Sequence, residues 1–210
     1  MTEDAQPPRG NLKMIRILLW VLVALAVAGT AALLLSPKTP SDSVTLTAKS
    51  DSTGFGGPFS LTGGDGKPFS SSTLAGKPYA IYFGFTRCGP VCPTTLARLV
   101  KLRKEAGGDN ALSILFITID PANDGPKEVG QYEKAFNAPI IGLTGSQAQI
   151  DQVKKQYGIY AKPSPHPTPG MEMEHTATVL LFDRHGQLAG TIATDEPDTT
   201  ALAKMKRLTA

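Results

Sequence analysis

The 210-residue chain lacks the features that mark several classes of protein. It has two cysteines, too few for a disulfide-dense scaffold. Neither sign of charge dominates, because 21 Lys and Arg face 18 Asp and Glu and no run of basic residues occurs. The formal net charge of +3 is too small for a nucleic-acid-binding surface, so we expect no nucleic-acid partner. A composition of 41% hydrophobic and 19% charged residues excludes disorder of the whole chain.

Charge is missing altogether from residues 17–35, which read ILLWVLVALAVAGTAALLL. At about 1.5 Å per helical residue this run spans roughly 28 Å, close to the hydrocarbon thickness of a bilayer. A cleaved signal peptide is the alternative, but its apolar region is shorter, about 7–15 residues, and the following Ser-Pro-Lys is a poor cleavage site. We therefore predict an uncleaved transmembrane helix over residues 17–35.

Basic residues set the orientation of this helix. Three precede it and only Lys38 follows it closely, so residues 1–16 are predicted to be a cytoplasmic tip. Residues 36–53, rich in Ser, Thr and Pro, are predicted to be a tether, and residues 54–210 the exported domain. Two acidic residues near the N-terminus argue against a mitochondrial transit peptide. The predicted location is a bacterial inner membrane with the domain in the periplasm.

The exported domain alternates between strand-like and helix-like segments. Predicted strands cover residues 59–62, 67–69, 79–85, 113–119, 176–182 and 187–192. Predicted helices cover residues 93–106, 126–136, 146–157 (capped by Ser146) and 198–208 (capped by Asp198). Buried strands separated by helices predict an α/β domain, with a mixed central sheet flanked by helices, in a thioredoxin-like fold.

Both cysteines lie where a buried strand turns into a helix, in the sequence Cys88-Gly89-Pro90-Val91-Cys92. The positive end of a helix favours thiolate over thiol. Helical residues four apart have Cβ atoms about 5–6 Å apart, whereas a disulfide needs roughly 3.5–4.5 Å, so a bond requires Cys88 to lie in the loop. A five-residue ring stabilises a fold poorly. The pair therefore predicts thiol chemistry or metal binding.

Of the three histidines, His175 is the candidate third ligand. It precedes a predicted strand that, in a thioredoxin-like layout, starts beside the cysteine turn. His166 in a polar loop and His185 in a hairpin turn are expected to be solvated. Two thiolates and one imidazole suit Cu(I) and Cu(II), although zinc accepts the same donors. The thioethers of Met171 and Met173 also suit Cu(I), but we expect them to pack on the surface.

Residues 82–96, YFGFTRCGPVCPTTL, closely resemble the signature of the Sco/SenC proteins. Those are membrane-anchored copper proteins of thioredoxin fold that help to assemble cytochrome c oxidase. Three further segments match in the same order: FITIDP at 116–121, IGLTG at 141–145 and EHT at 174–176. The resemblance covers about residues 57–188.

This resemblance implies that Cys88 and Cys92 bind copper through sulfur and His175 through an imidazole nitrogen. It also implies delivery of copper to the copper A site of cytochrome c oxidase subunit II, or reduction of that subunit's cysteines, with other copper chaperones as further partners. The usual family loop is Cys-Pro-Asp-Val-Cys, often after His. This chain has lost the loop acid and has Arg87 before the loop, and both changes are expected to favour thiolates.

Two functions follow. The first is a copper-binding assembly factor without turnover. The alternative is a periplasmic thiol–disulfide oxidoreductase in which Cys88 and Cys92 are catalytic and His175 is not needed. Such enzymes usually carry Cys-x-x-Cys with a proline at the position of His175. A peroxiredoxin is disfavoured because its Pro-x-x-x-Thr-x-x-Cys pattern is absent.

Overall fold

A computed structural model of the chain describes residues 16–23 and 55–210. Residues 16–23 are helical with exposed side chains. The rest of the predicted anchor, residues 24–35, and the predicted tether lie outside the described residues. Among the residues described, no helix is both long and apolar enough to cross a membrane. The chain divides into two units, Met1–Ser50 and Asp51–Ala210, and the fold below is that of the second.

Strands and helices alternate through residues 55–210. The strands are β1 (Ser60–Gly63), β2 (Pro68–Ser70), β3 (Tyr79–Gly84), β4 (Ser113–Thr118), β5 (Ile141–Thr144), β6 (Ala161–Pro163), β7 (Met173–His175), β8 (Val179–Phe182) and β9 (Leu188–Ile192). The α-helices are α1 (Val91–Gly107), α2 (Pro126–Lys134), α3 (Gln147–Gln156) and α4 (Asp198–Thr209), and a short 3-10 helix covers Ser71–Leu74.

Seven strands form one sheet in the order β2-β1-β5-β4-β3-β8-β9. β3, β4 and β5 run parallel, whereas the β1–β2 and β8–β9 pairs are antiparallel hairpins at the two edges. β6 and β7 form a separate two-stranded sheet. The prediction of an α/β domain with a mixed central sheet is confirmed.

The central strand β3 is buried at all six positions because helices cover both faces of the sheet. Ala80 and Tyr82 face a core that includes residues of α1, α2 and α4. Ile81 and Phe83 point to the opposite face, where the core includes residues of α3. The alternation of side chains along a strand thus divides one apolar run between two cores. The same packing fixes the carboxyl end of β3, from which the cysteine loop leaves.

Several boundaries differ from the predictions. β5, β6 and β7 were not predicted, because each is only three or four residues long and has glycine, proline or charged residues in or beside it. The strand predicted to start at residue 176 begins at Val179. Ser146 caps α3 as expected. Asp198 is not a cap: Pro197 takes that position, and the Asp198 carboxylate instead pairs with Arg98 across 2.7 Å.

Candidate metal and thiol site

The two cysteines occupy different environments at the end of β3. Cys88 lies in the loop before α1 and is half-buried, whereas Cys92 lies in the first turn of α1 and is fully buried. They are joined in a disulfide with a Cα–Cα distance of 5.9 Å. The bond forms because Cys88 lies outside the helix, which is the condition that the spacing imposes.

The N-terminus of α1 is left free for the sulfur atoms. Pro90 is the cap residue and makes no side-chain cap hydrogen bond, and the first turn carries no acidic residue. Backbone N–H groups in the first turn of a helix have no partner within it and form its positive end. The charge that favours a thiolate is therefore not neutralised by the helix's own side chains.

Two residues of β3 shape the space around Cys92. A Cβ atom on Gly84 would come 3.0 Å from Cys92 Sγ and 3.1 Å from the Phe116 ring, so a side chain at this strand end would crowd the sulfur. The hydroxyl of Tyr82 donates a hydrogen bond to Cys92 Sγ across 3.4 Å in the buried core. Burial raises the pKa of Tyr82, so the hydroxyl keeps its proton and remains a donor. Cys92 therefore has a dedicated hydrogen-bond donor.

A buried carboxylate holds the residues just before Cys88. Asp124 is fully buried and accepts the backbone N–H of Thr86 at 2.9 Å and its hydroxyl at 2.5 Å. The Thr118 hydroxyl, at the end of β4, donates to the same carboxylate at 2.6 Å. The Asp124 carboxylate thus links the start of the cysteine loop to the end of β4.

Arg87 does not place a free positive charge beside the cysteines. Its guanidinium pairs with Asp120 across 2.7 Å, and Asp120 also accepts the side-chain amide of Asn123 at 3.0 Å. The expectation that Arg87 favours thiolates is therefore weakened, because a neighbouring carboxylate balances much of its charge. The side chain remains 47% exposed.

His175 lies in β7, opposite Ala161 of β6, rather than just ahead of the long strand predicted from residue 176. Its ring packs edge-on against Phe85, with the ring centres 5.9 Å apart. Burial lowers the pKa of His175, and the nearby backbone groups of Met173 and Phe83 offset that effect only in part. Its Nε2 atom is buried and has no hydrogen-bond partner among the described residues. A neutral imidazole with an unused nitrogen is the form that binds metals.

Backbone contacts bring the His175 segment against the cysteine loop. The N–H of Gly89 donates to the carbonyl of Gly170 across 2.7 Å. Gly170 has φ +84°, and a Cβ atom there would lie 2.8 Å from Gly89. Cys88, in turn, donates its N–H to the carbonyl of Phe85, the residue whose ring contacts His175. The structure thereby places Cys88, Cys92 and His175 in one region of the molecule.

The other candidates from the sequence have different environments. Met171 is 67% exposed, as expected, whereas Met173 is half-buried and packs against the core on the α3 side of the sheet rather than on the surface. His166 and His185 are exposed, as predicted. Within residues 16–23 and 55–210, no group of three His, Cys, Asp or Glu side chains is arranged to hold a metal ion while the disulfide is closed.

Sequence reasoning missed Tyr82, Thr86 and the role of Asp124. Tyr82 lies in the predicted strand and in the family signature, but neither shows that its hydroxyl contacts a sulfur. From the sequence alone Asp124 is a candidate supporting charge, but a turn or cap residue is the more ordinary interpretation. Its burial depends on the pairing of β3 with β4, which one sequence does not reveal.

Comparison with known proteins places these features in a family. The SCO1/SenC family model matches residues 47–210. Yeast SCO2, a mitochondrial protein of Saccharomyces cerevisiae, is 35% identical over 159 residues, which are 74% of this chain and 53% of that protein. An SCO2-like protein of Rickettsia conorii is 33% identical over 180 residues, 83% of this chain and 87% of that one.

A solved structure agrees. Bradyrhizobium japonicum ScoI with copper bound is 35% identical, with a TM-score of 0.66, and the match covers 74% of this chain and 99% of that one. The matched region spans about half the length of the mitochondrial relatives from yeast, mouse and human.

Proposed function

The chain belongs to the SCO1/SenC family, and from that premise we propose that it binds copper through Cys88, Cys92 and His175. The observation that carries the proposal is the buried Nε2 atom of His175, which lacks a hydrogen-bond partner among the described residues. This neutral imidazole lies in a segment that contacts the cysteine loop at an uncapped helix end. Thiolates select Cu(I) and imidazole also serves Cu(II), so the donors fit copper.

Copper binding requires the cysteine pair to be reduced. In the disulfide neither sulfur is a thiolate, and the thiolate is the form that ligates a metal. Two electrons from a dithiol reductant open the bond and supply both sulfur ligands at once. The site therefore couples metal loading to the thiol redox state.

We further propose that copper is cargo for the copper A site of cytochrome c oxidase subunit II. The Sco/SenC resemblance supports this recipient, and the half-buried position of Cys88 supports transfer, because that sulfur is accessible to an incoming ligand. Other copper chaperones are proposed as the source.

A titration of the full chain tests copper binding. Reduced protein is expected to take up one Cu(I) in competition with a chromogenic chelator, and oxidised protein none. Cys88→Ser and Cys92→Ser should each lose at least tenfold in affinity, since two donors remain. Equal uptake by oxidised and reduced chain would contradict the proposal, because the disulfide would then not block the site.

A thiol–disulfide oxidoreductase is the second candidate, favoured by the unequal exposure of the two sulfurs. Cys88 can attack a partner disulfide from the surface, and the buried Cys92 can then resolve the mixed disulfide. The two functions differ in their need for His175. Reduced, copper-free chain is mixed with an oxidised copper A domain, and thiol release is followed. Activity retained by His175→Ala at the wild-type rate supports the oxidoreductase, and copper transfer that is lost in the same variant supports the carrier.

We also propose that residues 17–35 anchor the chain in a bacterial inner membrane with the domain in the periplasm. The uncharged 19-residue run and the basic residues before it support this topology. Protease added outside spheroplasts should remove the domain, and alkaline washing should leave the chain in the membrane. A chain released by alkaline washing, or protected from external protease, would contradict the proposed topology.

A further inference from the structure

Tyr82 contacts Cys92 Sγ, the buried sulfur of the cysteine pair. Its hydroxyl lies 3.4 Å from Cys92 Sγ, and both side chains are fully buried. The Thr95 hydroxyl lies near this phenol and donates its proton to the carbonyl of Val91 at 2.8 Å. The proton of the Tyr82 hydroxyl goes to Cys92 Sγ.

The strength of the sulfur as an acceptor depends on its redox state. A disulfide sulfur is a weak acceptor, whereas a thiolate is charged, and hydrogen bonds to charged groups are about twice as strong. Because water does not reach Cys92, no solvent molecule can replace the phenol as donor. The contact is thus weak in the disulfide and strong once the bond has opened.

We propose that Tyr82 stabilises the opened, reduced form of the cysteine pair by donating a hydrogen bond to Cys92 Sγ, and so sets the reduction potential of the site. The inference deepens the proposed function and rests on the part of it in which the pair cycles between disulfide and dithiol. Tyr82 supplies no proton or electron. It orients and stabilises the sulfur that leaves when Cys88 is attacked.

Reduction by a dithiol such as dithiothreitol takes two thiol–disulfide exchanges. One thiolate of the reductant attacks Cys88 Sγ, the half-buried sulfur, and the Cys88–Cys92 bond breaks with its electron pair on Cys92 Sγ. The second thiol then attacks the reductant's own sulfur in the mixed disulfide and releases Cys88. The reductant becomes a cyclic disulfide, the negative charge of its thiolate ends on Cys92 Sγ, and the proton of its second thiol goes to Cys88 Sγ. Tyr82 acts in the first step, where charge appears on the buried sulfur.

Tyr82→Phe keeps the ring that fills the core and removes only the hydroxyl. We expect the equilibrium constant for reduction by dithiothreitol to fall about tenfold, which for a two-electron couple is a potential about 30 mV more negative. The first step of reduction should slow by a similar factor. Tyr79→Phe is the matched control, because Tyr79 is also a buried tyrosine of β3 but lies at the other end of the strand, with its ring stacked on Phe182. Its potential should match the wild type.

A purely structural role predicts a different pattern. Loss of packing would lower the free energy of unfolding equally in the oxidised and the reduced protein and leave the potential unchanged. The proposed role predicts that Tyr82→Phe destabilises the reduced form more than the oxidised form, by the amount that the potential shift demands. Unfolding of both forms in urea measures this difference. Equal losses in the two forms, with an unchanged potential, would overturn the inference.

The test separates this inference from the proposed function, because neither measurement uses copper or the oxidase. Wild-type chain that binds Cu(I) while Tyr82→Phe leaves the potential unchanged refutes the inference alone. A shifted potential in a chain that binds no copper supports the inference and refutes the copper proposal.

Discussion

Replacing Asp124 by Asn is expected to weaken the attachment of the cysteine loop to β4 and to lower the stability of the domain. The carboxylate accepts three hydrogen bonds, two from Thr86 and one from Thr118, at 2.5–2.9 Å and without access to solvent. Asparagine has almost the same shape but only one acceptor oxygen, and its NH₂ group faces donors where the second oxygen was. At least one buried donor is then left without an acceptor.

The magnitude follows from the count of bonds. Hydrogen bonds to charged groups contribute about 1.5–3 kcal/mol each, and an unsatisfied buried donor costs about 1–3 kcal/mol. We therefore expect Asp124→Asn to lower the free energy of unfolding by about 3 kcal/mol. For a domain of this size that corresponds to a fall in Tm of roughly 6–12 °C. Reduced copper-binding protein should also lose affinity, because the backbone N–H of Thr86, two residues before Cys88, is no longer held.

Urea unfolding of the full chain with the disulfide intact measures the effect, with the m-value checked for constancy. Asp120→Asn is the matched control, since it removes a carboxylate from the same loop. Its partner Arg87 is 47% exposed, so the loss should stay within about 1 kcal/mol. A change below about 0.5 kcal/mol in Asp124→Asn would contradict this prediction, because the three bonds would then contribute almost nothing to stability.

Two further changes test other contacts. Gly170→Ala places a Cβ atom 2.8 Å from Gly89 at a positive φ, so we expect about 1–3 kcal/mol less stability and weaker Cu(I) binding by the reduced chain, measured by urea unfolding and chelator competition. Unchanged values of both would show that the loops need not touch. Glu196 pairs with Lys204 across 2.7 Å, and this hydrogen bond holds the pKa of the carboxyl below its usual value. The stabilisation is present above the unfolded-state pKa of about 4.3 and is lost as pH falls through the folded value. Glu196→Gln should therefore lose at most about 1 kcal/mol at pH 7 and nothing near pH 2, and a loss that persists in acid would contradict the assignment.

The fold was predictable where periodicity is strong and local. The apolar run at residues 79–85 predicted the central strand, and Gly107-Gly108 correctly ended α1, where Gly108 takes φ +95°. β5 was not predicted because its four residues, one of them glycine, are too few to show the alternation of a strand. Their strand conformation depends on pairing with β4 and β1. β6 and β7 depend in the same way on each other.

The ligand residues of the candidate site could be predicted from the sequence, but the contacts that hold them in place could not. Cys88 and Cys92 stood out because a strand-to-helix turn is where a thiolate is favoured, and His175 because of its place before a buried strand. The surrounding contacts could not be predicted, because they join residues far apart in sequence. The bonds of Thr86 to Asp124 span 38 residues, and the contact of Gly89 with Gly170 joins two loops without any repeating pattern.

His175 is proposed to complete a copper site with the two cysteines, and a Cu(I) titration of two histidine variants isolates its contribution. The reduced full chain, His175→Ala and the control His185→Ala, whose imidazole is exposed in a hairpin turn, are titrated with Cu(I) against the same chelator. We expect His175→Ala to lose at least tenfold in affinity while His185→Ala binds as the wild type does. Wild-type affinity in His175→Ala would contradict it, since the cysteines alone would then hold the metal.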